Sequence, residues 1–194
     1  MKKRLLAIML LFSLVLAGCG SKPKEEPDKI TSEITPSASG DTSTGEEKYF
    51  VTFEATTTDG TAWNSDKFAD SKLTMINVWA TYCNPCLSEM PDLGELAAEY
   101  DPAQFQIVGV VSDVMAEDGI KNIEHAKQLI SETKANYPHL LLNESLFMSF
   151  VNAVSAVPTT FFVRQDGSMV GYLTGAMSKE SWKNIIDDLL SKEQ

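Results

Sequence analysis

Cysteine and histidine are scarce in this sequence. Its 194 residues include three cysteines and two histidines. Cys83 and Cys86 would close a very short loop, and a disulfide stabilises a protein more when the loop it encloses is long. A structural zinc site needs four ligands, and no second cysteine pair or histidine pair supplies the rest. Both His125 and His139 lie in polar stretches, and we expect each to be a solvated surface residue.

Basic residues are also few. The chain has 16 Lys and Arg against 27 Asp and Glu, a net charge of −11. Without Lys2, Lys3 and Arg4, which lie in an N-terminal leader, 13 basic residues remain against the same 27 acidic ones, and the net charge is near −14. Such an acidic surface disfavours nucleic acid and anionic lipid headgroups as partners. No internal repeat and no second long apolar run is present.

The N-terminus has the pattern of an export signal. Lys2, Lys3 and Arg4 precede an apolar run that is shorter than the roughly 20 residues a membrane-spanning helix needs. The run ends in "LAGC", Leu16 to Cys19, which looks like a bacterial lipobox. We expect residues 1–18 to be a lipoprotein signal peptide and Cys19 to carry the lipid. An ordinary cleaved signal with a chance cysteine, and an uncleaved anchor, are the alternatives.

Residues 19–48 form the predicted tether. After Cys19 the stretch is rich in Ser, Thr, Pro, Glu and Lys, and such a composition cannot offset its ordering entropy. We expect a disordered linker of about 29 residues with a typical reach of about 30 Å. The remaining residues, 49–194, are long enough for one domain with its own core.

The domain reads as alternating strands and helices. Asp59-Gly60 and Asp166-Gly167 are the turn signals of two hairpins, and apolar β-rich runs at 73–80 and 105–111 predict buried strands. "PHLLLN" is a further short strand, followed by a helix near residues 144–152. Ser178 is a candidate N-cap for a C-terminal amphipathic helix. This order predicts an α/β domain with a mixed central sheet, parallel inside with an antiparallel edge. The apolar stripes predicted for the three longer helices are Leu87, Met90, Leu93, Leu96, Ala97 and Tyr100; Ile120, Ile123, Ala126, Lys127, Leu129 and Ile130; and Trp182, Ile185, Ile186, Leu189 and Leu190.

The Cys83–Cys86 pair stands where the strand at 73–80 gives way to a helix. Unpaired N–H groups and the helix dipole stabilise an anion at a helix N-terminus, and this placement favours a reactive thiolate at Cys83. A separation of i to i+3 on one helical turn is about 5–6 Å, which a disulfide can span. Pro85 suits the first turn because it has no N–H to lose there. The pattern predicts a redox-active dithiol.

"NVWATYCNPCLSEMPDL" resembles the active-site segment of the thioredoxin superfamily, and in particular of the TlpA/ResA-like membrane-tethered thiol–disulfide oxidoreductases of bacteria. The resemblance implies a thioredoxin-like fold with a central mixed sheet flanked by helices, an N-terminal hairpin, and a central insertion between residue 111 and Pro158. In "VPTTFFVRQDG" it implies a cis peptide bond between Val157 and Pro158, with Pro158 packed against the disulfide and holding substrate backbone.

The segment departs from cytoplasmic thioredoxin at several positions. Tyr82 replaces the usual Trp, and Asn84-Pro85 replaces Gly-Pro between the cysteines. Asn77, which cannot titrate, stands where that family has a buried aspartate. Glu89 matches a glutamate of ResA-like proteins, which makes it a candidate acid–base group for the buried thiol; the alternative is a solvent-facing helix glutamate.

The resemblance implies an extracytoplasmic, lipid-anchored and monomeric reductant of protein disulfides with no cofactor beyond its own disulfide. It implies a membrane thiol carrier of the CcdA/DsbD type as electron donor and a part in cell redox homeostasis. Candidate clients are apocytochrome c, during cytochrome c maturation, or a methionine sulfoxide reductase with an antioxidant role. Three alternatives stay open: a disulfide-forming oxidant, a redox-inactive tethered binding module, and a peroxiredoxin-like peroxidase. The spacing of Thr81 and Pro85 around Cys83 does not match the peroxidatic motif.

Overall fold

A computed structural model describes residues 48–192 of the chain. The predicted signal peptide and Cys19, and the predicted linker except for Lys48, lie outside the described residues. The strands are β1 (Glu54–Thr56), β2 (Ala62–Asn64), β3 (Leu73–Trp79), β4 (Phe105–Met115), β5 (His139–Leu142), β6 (Thr159–Arg164) and β7 (Met169–Thr174). The helices are α1 (Asn84–Glu99), α2 (Ile120–Glu132), α3 (Glu144–Ser149) and α4 (Lys179–Lys192), with short 3₁₀ segments at Ser65–Asp70, Ala116–Asp118 and Val151–Ala153.

The central sheet has five strands in the order β5-β4-β3-β6-β7. β5, β4 and β3 are parallel, β6 pairs with β3 in the antiparallel direction, and β7 pairs antiparallel with β6. The predicted mixed sheet is therefore confirmed, with an antiparallel part that is two strands wide. The hairpin β1–β2 forms a separate small sheet, and Gly60 takes the positive φ of +82° that its turn requires.

β3 is buried on both faces, as its uninterrupted apolar sequence predicts. Its alternating side chains enter two hydrophobic clusters, one on each side of the sheet. Met75 and Trp79 join the cluster formed with α1, α2 and α4, whereas Ile76 and Val78 join the cluster on the opposite face. The position of β3 at the centre of the sheet places its carboxyl end, and thus Cys83, next to the end of β4.

The helix predictions hold with local differences. Met90, Leu93 and Leu96 of α1 are fully buried. Ala126 is the buried residue of α2, but Ile120 at its first position is 69% exposed. The Ser178 hydroxyl accepts a hydrogen bond from the N–H of Ser181, which confirms the predicted cap of α4. The helix predicted near residues 144–152 ends at Ser149 and continues as a 3₁₀ turn.

His139 corrects an expectation. The side chain is not solvated but buried, with 2% of its surface exposed. Its Nδ1 accepts a hydrogen bond from Trp79 Nε1 at 3.1 Å, and its Nε2 lies 3.0 Å from the carbonyl oxygen of Ala135. Polar neighbours in the sequence suggested exposure, but His139 is the first residue of β5, and it pairs with Gly109 of β4 inside the sheet. His125 on α2 is exposed, as expected.

Residues 49–58, which we call the strap, cross one face of the sheet and bond to both of its edges. Val51 N donates to Gly167 O, and Met169 N donates to Tyr49 O, at the β7 edge. At the other edge Thr58 N donates to His139 O at 2.8 Å. The strap therefore covers part of each edge and closes the second hydrophobic cluster.

Candidate active site

Cys83 and Cys86 are joined by a disulfide at the N-terminus of α1, with 5.3 Å between their Cα atoms. Cys83 is the N-cap residue of α1, and its Sγ accepts a hydrogen bond from the backbone N–H of Cys86 at 3.2 Å. Cys83 retains 6% exposure, whereas Cys86 has none. The sulfur of Cys83 is thus the one nearer to solvent, and it lies among the unpaired N–H groups that stabilise an anion.

The turn before α1 delivers Cys83 to this position. β3 ends at Trp79, and the N–H of Cys83 donates to Ala80 O at 3.0 Å, which closes the turn. The first helical hydrogen bond follows from Leu87 N to Cys83 O. Pro85 lies in the first helical turn, where a missing N–H costs nothing. The sequence prediction of a strand–helix junction at the cysteines agrees with this geometry.

Around the disulfide, the predicted supporting residues differ in exposure. Tyr82 is 74% exposed, directly before Cys83, and Asn84 is exposed directly after it. The Val157–Pro158 peptide is cis, as the resemblance implies. Pro158 is buried and its carbonyl accepts from Gly175 N at 2.9 Å. The packing of Pro158 against the disulfide stays a prediction.

Glu89 is buried on the inner side of α1, with 3% exposure, so the solvent-facing alternative is wrong. Its Oε2 accepts hydrogen bonds from Met177 N and Trp182 Nε1, each at 3.1 Å. Its Oε1 accepts one from Asn77 Nδ2 at 3.1 Å. Burial raises the pKa of the Glu89 carboxyl above its ordinary value, and the three hydrogen bonds offset part of that rise. The carboxyl is therefore closer to taking up a proton than an exposed glutamate is, while its acid–base role stays a prediction.

Asn77 links β3 to this carboxyl. Besides its bond to Glu89, its Nδ2 donates to Thr160 Oγ1 of β6 at 3.1 Å. Its Oδ1 is buried and has no hydrogen-bond partner among residues 48–192. Asn77 thus joins β3 to β6 and to Glu89, and it leaves one acceptor unused among the described residues.

Sequence reasoning missed residues that hold the site. The carboxylate of Asp113 accepts hydrogen bonds from both the backbone N–H and the hydroxyl of Thr81. Ser112 Oγ donates to Trp79 O at 2.9 Å. A signal for them was available, because Ser112 and Asp113 directly follow the apolar run at 105–111. Side chains at the end of a parallel strand lie close to those at the end of the neighbouring strand. The hydrogen bond from Trp182 to Glu89 could not be predicted, because the spacing of apolar residues on a helix indicates burial and not hydrogen bonding.

In the described part of the chain, no group of three or more His, Cys, Asp or Glu side chains could hold a metal ion. No helix within residues 48–192 is long and apolar enough to cross a membrane.

The chain matches known proteins in sequence. The model of the AhpC/TSA family matches residues 47–171. "Thiol-disulfide oxidoreductase ResA" of Oceanobacillus iheyensis is 27% identical over 124 residues, which are 64% of this chain and 60% of that protein. "Thioredoxin-like protein YneN" of Bacillus subtilis is 28% identical over 119 residues, which are 61% of this chain and 66% of that protein. The chain thus spans less than two thirds of the length of these curated relatives.

Solved structures share the fold. A thiol:disulfide interchange protein of the thioredoxin family from Chlorobium tepidum TLS aligns with a TM-score of 0.65 at 22% identity, over 76% of this chain and 99% of that one. A secreted Mycobacterium tuberculosis disulfide oxidoreductase aligns with a TM-score of 0.57 at 22% identity, over 70% of this chain and 95% of that one. At these identities the likeness shows the fold, and the expected thioredoxin-like architecture is confirmed.

Proposed function

The chain belongs to the AhpC/TSA family and is a TlpA/ResA-like thioredoxin-fold protein, and we propose that it is an enzyme, an extracytoplasmic thiol–disulfide oxidoreductase that reduces disulfides of exported proteins. The observation that carries the proposal is the placement of the pair. Cys83 caps α1 with its sulfur nearer to solvent, and Cys86 lies one turn deeper with no exposed surface. This asymmetry suits a nucleophile and a resolving thiol.

The reaction proceeds in two exchanges. The Cys83 thiolate attacks one sulfur of a client disulfide, which breaks the client S–S bond, forms a mixed disulfide and releases the other client sulfur as a thiolate that takes up a proton. Cys86 then loses its proton and attacks Cys83 Sγ, which forms the Cys83–Cys86 bond and releases the second client thiolate. Two electrons and two protons pass from the dithiol to the client.

Glu89 is the candidate base for the second exchange. A fully buried thiol is a poor acid, and it needs a nearby group to accept its proton as it becomes a nucleophile. Cys86 and Glu89 stand three residues apart, on the same side of α1, and both are buried. The raised pKa of the Glu89 carboxyl suits a group that takes up this proton and passes it on.

Trapping tests the roles of the two cysteines. A Cys86→Ser protein cannot resolve the mixed disulfide, so we expect it to accumulate covalent complexes with clients in cells, visible on non-reducing gels. The Cys83→Ser protein should trap none, because the remaining thiol is buried. Equal trapping by both variants would contradict the assignment.

The proposed direction is reductive. Reduction potentials of such pairs run from about −270 mV for thioredoxin to about −120 mV for a strong oxidant, a span near 7 kcal/mol. We expect a potential below about −200 mV, measured by equilibration with glutathione or a thioredoxin of known potential. A value near −120 mV would make the protein a disulfide-forming oxidant instead.

The cellular setting belongs to the same proposal. We place the domain outside the cytoplasm, held at the membrane by lipid on Cys19 and re-reduced by a membrane thiol carrier of the CcdA/DsbD type. Apocytochrome c or a methionine sulfoxide reductase are the proposed clients, and the domain acts as a monomer. Labelling with a clickable fatty acid should mark the wild-type protein in the membrane fraction, and a Cys19→Ala protein should lose the label.

Two other activities are separated by simple assays. A peroxiredoxin-like peroxidase shares the fold, and it would consume peroxide at a rate that depends on Cys83. A redox-inactive binding module would stay folded yet fail to catalyse insulin reduction by dithiothreitol. The paired arrangement of Cys83 and Cys86 favours disulfide exchange over both.

A further inference from the structure

β4 is longer than its pairing with β3 requires. The last paired residues of the two strands are Trp79 and Val111, yet β4 continues to Met115. In this extension Ser112 and Asp113 turn toward the segment that leads from β3 into α1. Ser112 Oγ donates a hydrogen bond to Trp79 O at 2.9 Å, so the contacts of the extension begin at the last residue of β3.

The carboxylate of Asp113 accepts three hydrogen bonds from Thr81. The Thr81 N–H lies 3.0 Å from Oδ1 and 3.2 Å from Oδ2, and the Thr81 hydroxyl donates to Oδ2 at 2.6 Å. Hydrogen bonds to a carboxylate are shorter and stronger than those between neutral groups. Three of them on one residue hold both the backbone and the χ1 rotamer of Thr81.

Thr81 lies in the middle of the turn that presents the nucleophile. The turn spans residues 80–83 and is closed by the bond from Cys83 N to Ala80 O. In the oxidised protein the disulfide also ties Cys83 to α1. When the disulfide opens, that tie is lost, and the hydrogen bonds to Asp113 remain as side-chain restraints on the turn.

We propose that Asp113 is a positioning residue that keeps Cys83 at the N-terminus of α1 in the reduced protein. The carboxylate acts through Thr81 and does not touch the reacting sulfurs. A nucleophile held in its reactive geometry avoids the entropic cost of finding it, and small displacements of such a group slow a reaction strongly. The consequence for exchange rests on the proposed function, whereas the placement of Cys83 can be measured without it.

Four variants test the hydrogen bonds between Asp113 and Thr81, which we call the clamp. Asp113→Ala removes all three hydrogen bonds, while Asp113→Asn can still accept from the Thr81 N–H and pair its amide with the hydroxyl. Thr81→Val removes the hydroxyl donor, while Thr81→Ser keeps it. We expect Asp113→Ala to slow alkylation of reduced Cys83 by iodoacetamide, and its exchange with a small disulfide, by about tenfold or more. The Asn and Ser variants should recover most of the rate lost in the Ala and Val variants.

Asp166→Ala is the matched control. Asp166 accepts from the N–H and hydroxyl of Ser168 in the β6–β7 turn, a similar carboxylate clamp at the end of the sheet away from the cysteines. It should cost stability without changing the reactivity of Cys83. The Asp113→Ala and Thr81→Val effects should also be less than additive when combined, because both break one clamp.

Two results would overturn the proposal. One is an Asp113→Ala protein whose Cys83 alkylates at the wild-type rate. The other is an Asp113→Asn protein as slow as Asp113→Ala, since the amide retains the contacts. Alkylation needs no client, so a wild-type protein that alkylates rapidly yet exchanges no disulfides would defeat the proposed function and leave the positioning role standing.

Discussion

Glu89 shows how one buried carboxyl can serve two protonation states. When it is ionised, Asn77 Nδ2 donates to Oε1. If Oε1 of Glu89 carries a proton, a flipped Asn77 amide can accept a hydrogen bond from it through Oδ1. This is the atom that lacks a partner among the described residues. A titrating aspartate at position 77 would instead add a second negative charge beside the first. An Asn77 amide that flips in this way would keep Glu89 hydrogen-bonded in either protonation state.

Glu89→Gln tests this carboxyl. Desolvation raises its pKa in the folded protein above the ordinary value of 4.5, so the folded state holds the proton more tightly than the unfolded chain does. That contribution to stability is present below pH 4.5 and is lost as the pH rises through the folded-state pKa. We expect Glu89→Gln to be more stable than wild type at neutral pH, with the difference shrinking toward acid pH, in urea unfolding followed at several pH values.

The same variant should also slow resolution of the mixed disulfide by roughly tenfold or more at neutral pH, because it removes the proposed base for Cys86. Glu95→Gln, the same substitution on the exposed side of α1, is the control and should leave this rate unchanged. Unaltered resolution in Glu89→Gln would show that the carboxyl has no acid–base role.

The sequence carried part of this information. Cys86, Glu89, Met90 and Leu93 follow helical spacing, so a reader of the α1 stripe could have placed Glu89 on its buried side. The partners of Glu89 could not be found this way, because Asn77 lies on β3, and Met177 and Trp182 lie just before and within α4, about 90 residues further along the chain than Glu89. Hydrogen bonds between such segments depend on how α4 packs on α1, which a local pattern does not specify.

Among the elements, β3, β4 and β5 are joined by a buried aromatic stack around His139. Its ring stacks on Tyr137 at 4.4 Å and meets Trp79 edge-on at 5.6 Å. β4 makes room for the ring through Gly109, where a Cβ atom would lie 2.2 Å from His139 Nδ1. Since Nδ1 accepts from Trp79, Nε2 carries the proton and donates to Ala135 O. Both ring nitrogens of the neutral imidazole are thus hydrogen-bonded.

Acid should weaken this stack. Burial lowers the pKa of His139 from 6.5 to about 4 in the folded protein. A lowered histidine pKa contributes stability above the unfolded value, and that contribution is lost as the pH falls from about 6.5 through about 4. The loss is on the order of 3 kcal/mol. We expect His139→Gln to flatten the decline of unfolding free energy over this range, measured with urea at each pH.

His125→Gln is the control, because the exposed side chain on α2 lies outside the stack. It should reproduce the wild-type decline. Subtracting the two variants also removes the opposite contribution of Glu89, which is common to both. A His139→Gln protein with an unchanged decline would mean that the histidine is not neutral in the fold.

At the scale of the whole molecule, the order of elements along the chain was predictable and the order of strands in the sheet was not. The spacing of apolar residues along the chain and the two Asp-Gly turns indicate where the strands and helices lie. Nothing local says that β3 lies between β4 and β6, because that arrangement depends on which apolar faces cover one another. The strap was predicted only as a hairpin, and its bonds to both sheet edges join residues more than 80 positions apart.

The strap offers a matched pair of phenylalanines. Phe53 is 4% exposed and packs against Trp63, Phe68 and Phe150, whereas Phe50 on the same segment is 52% exposed. We expect Phe53→Ala to lower the free energy of unfolding by about 3–5 kcal/mol, because it removes buried surface and leaves a cavity. Phe50→Ala should cost about 0.5 kcal/mol or less. Guanidinium unfolding of both variants measures the difference.

A chain that starts at Lys48 and one that starts at Asp59 extend the same test. The first keeps the strap, so its unfolding free energy should equal that of the full chain. The second loses Phe53 and the hydrogen bonds at both sheet edges, and it should be destabilised by at least as much as Phe53→Ala. If the shorter chain proved as stable as the longer one, the second hydrophobic cluster would not need the strap.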